Sequence, residues 1–276
     1  MPEPLDITTV RRITNLESEI RRLRTYDHGG QSIGEVMSAY MFLPALRAFW
    51  PFSSQVFNAG GVSYLADVSG HSRHMAARNA PTYGILNDIL PYGIFDRASS
   101  QSFNRPDEPE MYPAPTYGLT IGCWCSNTAA QADGTYQGLI SKWGTVIGED
   151  KAGLGMDFFV DPATHLTHAA FRVDETGVGN TEVVHTTTVA VNSWHFVAGR
   201  FTPSTEIAVF DNGVKVVNTT SIPASINRPD KDFVIGGYDV KNYLSGYITL
   251  AFVCADALPD AILARIFKVT RHFFGV

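Results

Sequence analysis

Apolar residues at every second position, repeated in short runs, constrain this chain more than any other feature. Leu119, Ile121, Cys123 and Cys125 alternate with Thr120, Gly122 and Trp124, the two-residue period of a strand whose two faces meet different surroundings. Trp194, Phe196 and Ala198 share one face of a second run. Two further runs, Ile207 to Phe210 and Val214 to Val217, flank Asp211-Asn212-Gly213, whose residues tolerate the positive φ of a hairpin turn. Another run sets Tyr247, Thr249 and Ala251 against Ile248, Leu250 and Phe252. Such runs recur at intervals of roughly ten to fifteen residues from Ala45 onward, with no helical crossovers between them. They predict an all-β fold, an antiparallel β-sandwich of the jelly-roll type. A short helix is expected only near the end, over Asp256 to Thr270, with Pro259 near its first turn and Ile262, Ile266 and Phe267 facing inward.

Composition agrees. Of 276 residues, 45% are hydrophobic and 17% charged, enough to bury a sizeable core, and 24 Gly with 15 Pro fit a fold rich in turns. The net charge of −6 and the lack of a basic stripe argue against nucleic acid and acidic membranes as partners. No run is long enough to span a bilayer, and the opening Met1 to Val10 lacks the basic and apolar regions of a secretory signal. Cys123 and Cys125 point to one face of a strand, and Cys254 lies in another apolar run. All three are expected to be free thiols serving as small core hydrophobes, in a chain folding in a reducing cytoplasm.

The first residues break the β pattern. Ile13, Leu16, Ile20 and Leu23 follow the a/d spacing of two heptads. Acidic Glu3 and Asp6 precede this segment and Arg21, Arg22 and Arg24 end it, both complementing a helix dipole. Arg12 to Glu17, Arg-Ile-Thr-Asn-Leu-Glu, resembles the short trimerisation signature of parallel coiled coils. That resemblance implies Arg12 at position g, paired with Glu17 at e of a neighbouring helix. Arg12, Ile13, Leu16, Glu17, Ile20 and Leu23 are thus the expected trimer-forming residues, with packing on the chain's own sheet as the alternative. A helix this short is marginal alone, so other parts of the chain are expected to add contact area. The expected organisation is an arm and coiled-coil helix over 1–28, a linker over 29–44 and the sandwich over 45–276.

The order of the later pieces resembles a known family. Trp194-His195-Phe196-Val197, then the Asn212-Gly213 hairpin, then Gly246-Tyr247-Ile248 leading to Ala257-Leu258-Pro259-Asp260-Ala261-Ile262, is similar to the second half of laminin-G-like, concanavalin A-like jelly rolls. Leu119 to Cys125 and the Lys142-Trp143 pair match early strands of that family. Phe49 to Ser54 and the Asp67-Val68-Ser69-Gly70 turn resemble its phage-encoded members. Gly246-Tyr247-Ile248 is followed by Thr249-Leu250, where the family usually carries an acidic pair.

The family includes glucan hydrolases, lectins and structural modules, so the fold does not choose among them. A hydrolase of this architecture needs paired carboxylates alternating along one strand. The carboxylates in Pro106 to Pro113, Gly148 to Gly153, Arg172 to Gly177 and Arg228 to Phe233 all read as loops or turns. No Gly-x-Ser-x-Gly elbow is present and no serine or cysteine shows a convincing partner. An enzyme is therefore not expected. His71 with His74 and His165 with His168 lack neighbouring ligands at zinc-site spacing. The resemblance implies calcium as the ion to consider, with Asp67 and Asp239 the carboxylates to inspect, against their simpler role as turn residues. Trp50, Tyr64, Tyr83, Tyr92, Tyr112, Tyr117, Tyr238 and Tyr243 lie in or near expected loops, with core or rim packing their default role.

The expectation is a structural virion protein of a bacteriophage: a homotrimer displaying laminin-G-like domains on the particle, as capsid decoration or head fibre. Its N-terminal arm would meet other virion proteins. The alternatives are a carbohydrate-binding adhesin, such as a tail fibre or lectin holding surface glycans, and a glycan hydrolase of the same fold.

Overall fold

The computed structural model of the chain describes residues 27–28, 31–52, 56–108, 111, 117–129, 132, 134–143, 153–175, 179–238 and 241–276. Arg12, Ile13, Leu16, Glu17, Ile20 and Leu23 of the expected trimer seam lie outside the described residues, as do Tyr112 and Asp239.

Two antiparallel sheets form the body. The eight-stranded sheet runs Val214–Asn218, Glu206–Asp211, His195–Thr202, Leu119–Asn127, Gly246–Cys254, Leu90–Phe95 and Thr82–Leu86, with Leu46–Trp50 also pairing with Gly246–Cys254. The nine-stranded sheet runs Gly179–Thr188, Thr167–Glu175, Leu154–Val160, Tyr136–Lys142, Phe233–Ile235, Ser102–Arg105, Met75–Arg78, Val62–Leu65 and Val56–Ala59. Between them lies the main core. Leu119, Ile121, Cys123 and Cys125 from one sheet meet Leu154, Met156, Phe158 and Phe171 from the other. The expected alternation of the Leu119–Asn127 strand is thus realised, and all three cysteines are free and buried. Asn212 and Gly213 carry the positive φ values of the hairpin turn, 49° and 82°.

The eight-stranded sheet is apolar on its outer face as well. Phe49, Trp124, Phe196, Phe210 and Phe252 occupy those positions, so the face needs a cover. Helix α1 (Ile33–Met41) and helix α2 (Asp260–Phe274) supply it. Val36 and Tyr40 of α1 and Leu263, Ile266 and Phe273 of α2 join these residues in a second core. Tyr40 stacks on Phe49 with 4.7 Å between ring centroids. Trp124 stacks on Phe274 at 3.8 Å and donates its indole N–H to Thr270 Oγ1 at 2.9 Å. The stretch expected to be a linker, 29–44, therefore contains a helix bound to the sandwich. The C-terminal helix extends past Thr270 to Phe274, where Gly275 at φ 71° returns its N–H to the Arg271 carbonyl.

One expected strand pattern differs. Ile248 faces the inter-sheet core together with Ala251 and Val253, whereas Leu250 and Phe252 face the helices. Leu250 has φ 50°, and the pairing with the Leu119–Asn127 strand shifts register between Gly122 and Trp124. This bulge inserts one residue and reverses the parity of the faces beyond it.

Candidate functional site

The outer face of the nine-stranded sheet carries a polar and aromatic array. In Leu154–Val160, Leu154, Met156 and Phe158 point into the core, so Gly155, Asp157 and Phe159 point outward. Strand register aligns their partners: Tyr136 lies opposite Phe159, and Arg172 lies opposite Gly155 on one side and Glu182 on the other.

Arg172 is the hub. Its Nη2 donates to Asp157 Oδ1 at 2.8 Å and its Nε lies 3.4 Å from Glu182 Oε2. Its guanidinium sits 3.6 Å over the centroid of the Tyr136 ring, a cation–π contact. Tyr136 in turn stacks on Phe159 at 4.9 Å. Asp157 receives a second hydrogen bond at Oδ2 from the Tyr238 hydroxyl, and Trp143 meets the Tyr238 ring edge-on at 5.9 Å.

Tyr238 comes from the loop after Phe233–Ile235, which folds flat across the sheet. Gly236 turns at φ 88°. Ser141 Oγ donates to the Gly237 carbonyl at 2.8 Å, and Tyr238 and Lys241 exchange backbone hydrogen bonds of 3.0 and 2.7 Å. Gly138 and Gly155 make this approach possible, because a Cβ at either would strike the Gly237 backbone or the Tyr238 ring.

Burial pushes the Asp157 carboxyl up to about 6, against the opposing pull of Arg172 and the Tyr238 hydroxyl. Burial, then Asp157, raises Tyr238. Burial works against the Arg172 charge, but Asp157, Tyr238 and Glu182 outweigh it and hold the guanidinium protonated. The outcome is a fixed, sunken Arg–Asp pair beside a ledge of half-buried rings, Tyr136, Phe159 and Trp143. Glu182 keeps 29% of its side chain exposed. Such a face offers ring surfaces for C–H groups and a carboxylate for hydroxyls. Asp157 has no exposed surface, and both of its oxygens are occupied, so it is not presented to a substrate as an acid or nucleophile.

The sequence-predicted residues are placed elsewhere. Both oxygens of Asp67 accept hydrogen bonds, from the backbone N–H groups of Phe49, Ser69 and Arg73 and from Ser69 Oγ, at 2.8–2.9 Å. The carboxylate organises its own turn. His71 Nε2 lies 3.1 Å from the Leu46 carbonyl, His74 Nδ1 accepts from Asp67 N, and His168 Nδ1 lies 3.1 Å from the Thr187 carbonyl. Among the described residues no group of three or more His, Cys, Asp or Glu side chains is arranged to hold a metal ion. Asp107 and Glu108 pair with Lys142 and Arg105. Asp174 and Glu175, expected in a turn, belong to the Thr167–Glu175 strand. Trp50 lies wholly in the core, Tyr238 and Tyr243 are buried, Tyr64, Tyr83 and Tyr92 are half-buried, and Tyr117 is exposed.

Two arrangements escaped the sequence reading. Asp157 and Phe159 carried a usable signal, since they alternate with Leu154, Met156 and Phe158. The second is a serine–histidine–aspartate chain. Ser193 Oγ lies 3.0 Å from His195 Nε2, whose Nδ1 lies 2.7 Å from Asp211 Oδ1. Ser193 Oγ also lies 2.6 Å from the Ala190 carbonyl, so its single hydroxyl proton is shared between two competing acceptors. The backbone N–H groups of Asn192 and Ser193 are bound to the Asn127 and Ala190 carbonyls, leaving neither to hold an oxyanion. The chain of bonds anchors the start of the His195–Thr202 strand.

Comparison with known proteins agrees with this architecture. No curated protein matches the chain. Among solved structures, the binding domain of Paraclostridial Mosquitocidal Protein 1 superimposes with TM-score 0.65 at 10% identity, over 86% of this chain and 56% of that one. The binding domain of botulinum neurotoxin DC, solved with rat synaptotagmin II, gives TM-score 0.61 at 11% identity, over 81% and 51%. This chain thus spans about half the length of these toxin domains. Domain 4 of AbnA, an extracellular arabinanase from Geobacillus stearothermophilus solved with arabinotriose, gives TM-score 0.59 at 12% identity, over 80% of this chain and 97% of that one. At these identities the likeness is one of fold. The family profile described as the concanavalin A-like lectin/glucanases superfamily matches residues 98–261, more than half of the sequence. With two antiparallel sheets around one core and a family match over most of both, the chain belongs to the concanavalin A-like lectin/glucanase superfamily.

Proposed function

We propose that this chain is a glycan-binding module that holds a saccharide on the outer face of its nine-stranded sheet without cleaving it. The observation that carries the reading is the half-open Tyr136–Phe159 ledge beside the Arg172–Asp157 pair, with Glu182 at its edge. Rings held by stacking and by a cation lose little freedom when a sugar settles on them. The sealed position of Asp157 favours binding over hydrolysis. The superfamily and the arabinotriose complex of a similarly folded domain support the same class of ligand.

A glycan array followed by calorimetry on the wild type, Tyr136→Ala and Glu182→Gln tests this. One saccharide class should bind, and both variants should weaken it. Binding that both variants leave untouched, or release of reducing ends from a bound polysaccharide, overturns the reading.

The setting in which the module is displayed is a second proposal: a homotrimer on a phage particle, joined through its N-terminal arm. It is supported by the heptads of Ile13, Leu16, Ile20 and Leu23, with Arg12 and Glu17 placed as in trimer signatures. Among the described residues no helix is long and apolar enough to cross a membrane. Light scattering should give three times 30.2 kDa for the full chain, and deletion of residues 1–28 should leave a folded domain of lower order. A full-length monomer at micromolar concentration, or failure to find the chain in intact particles, rejects this setting.

A further inference from the structure

We infer that the groove between α1 and α2 is the docking surface for residues 11–24 of the same chain, with Ile13, Leu16, Ile20 and Leu23 turned into it. The groove holds about 370 Å³ and is walled by Gly34, Ser38 and Phe42 on α1 and by Ile262, Ile266 and Val269 on α2. The small side chains of Gly34, Ser38 and Ala39 leave this space open. Ser38 Oγ donates to the Gly34 carbonyl of its own helix at 2.7 Å, so the α1 wall presents little polarity. Phe42 is 85% exposed, the most exposed large hydrophobic side chain among the described residues. An open apolar trough ending in an uncovered ring is the mark of an interaction surface.

The backbone brings one occupant to it. Asp27–His28 pairs antiparallel with Gln31–Ser32, Asp27 opposite Ser32, and α1 begins at the next residue, Ile33. This hairpin turns the chain around, so a segment preceding Asp27 is delivered beside the first turn of α1, antiparallel to it. Leu23 is four residues from Asp27, within a reach of about 13 Å. As a helix, Ile13 to Leu23 spans about 15 Å, against about 12 Å for α1 from Gly34 to Phe42. The charges agree with an antiparallel placement. Arg24, which flanks the apolar edge of the heptads, comes to the groove at the end that carries Glu35. Glu17 and Glu19 flank the middle of that edge, and Arg265 lies midway along the α2 wall. A helix of this length is marginal alone, and burying four aliphatic side chains supplies what it lacks.

The docking does not rest on the glycan reading. It adds regulation to the trimeric one, and only that addition rests on the trimer. The same four residues can line the groove or meet their copies, but not both, so the groove shelters the seam in the free chain and the copies compete for it.

Hydrogen exchange and cysteine trapping on the full chain test this. The amides of residues 13–23 should exchange slowly in the wild type. Phe42→Asp, at an exposed position, should speed them about tenfold and leave the unfolding temperature of the sandwich unchanged. Ile20→Cys with Ala39→Cys, or Leu16→Cys with Phe42→Cys, should oxidise to an intrachain disulfide whose yield does not fall on dilution. Cys123, Cys125 and Cys254 are buried, and each single variant should form no such bond. Fast exchange in the wild type, exchange that Phe42→Asp leaves unchanged, or trapping only between chains overturns the inference. A full-length monomer that keeps both signals rejects the trimeric setting and leaves the docking in place. A trimer whose protection at 13–23 survives Phe42→Asp does the reverse.

Discussion

Arg172 and Asp157 meet across adjacent strands with both groups withdrawn from solvent: Nη2 lies 2.8 Å from Oδ1, and the carboxylate is fully buried. Removing one partner strands the other. Asp157→Ala should cost about 3–5 kcal/mol, whereas the paired change Asp157→Leu with Arg172→Met should cost less than the single one. Denaturant midpoints around the double-mutant cycle measure this, and a single-variant loss near zero would mean the pair carries no buried charge.

Asp157 also gives the protein a proton-linked stability. Its folded pKa of about 6 stands above the ordinary value of 3.8, so the folded state holds a proton that the unfolded chain has already lost. The contribution is present in full below about 3.8 and disappears as pH rises through about 6. The stability difference between wild type and Asp157→Asn should therefore shift against the wild type over that interval, read from urea unfolding at a series of pH values.

His185 works in the opposite sense. Its Nδ1 accepts the Thr187 N–H at 3.0 Å and its Nε2 contacts the Val214 carbonyl at 3.1 Å, so the bonded form is neutral and ties the edges of the two sheets together. Burial lowers its pKa below 6.5; Asp211 and the Val214 hydrogen bond oppose that shift, and His168 and His195 add to it. Stability from this contact is present above about 6.5 and falls as pH drops toward the depressed folded value. His185→Gln should flatten that acid-side loss, and an unchanged pH profile would remove His185 from the linkage.

Thr270 is the polar anchor of α2. Thr270→Val keeps the shape but leaves the buried Trp124 indole N–H without its 2.9 Å acceptor, at a cost of about 1–3 kcal/mol. Near-ultraviolet circular dichroism should retain the Trp124 signal while the unfolding temperature drops. Loss of the signal at low temperature would show that the helix had detached instead.

Much of the scaffold was legible beforehand because its causes are local. The alternation around Cys123 and Cys125 placed one face in the core, and Asp211-Asn212-Gly213 marked a hairpin. The site was less so. Asp157 sits in an alternating strand, but its value depends on Arg172 two pairings away in register, and on Tyr238, which arrives 81 residues later. The helix inside the stretch 29–44 was not legible for a related reason. Whether Tyr40 faces solvent depends on Phe49, Trp124 and Phe252 leaving an apolar outer face to cover.

What the order of residues determined alone was the secondary structure of the sandwich and the sidedness of most strands, because a two-residue period is set by backbone geometry and neighbouring side chains. What the folded chain decided was which polar groups share a face, and which rings remain open. The bulge at Leu250 reverses sidedness through a register shift with a distant strand, and the Arg172 array exists only where pairing brings four strands and a returning loop together. Those are consequences of contact between remote segments, and no local pattern encodes them.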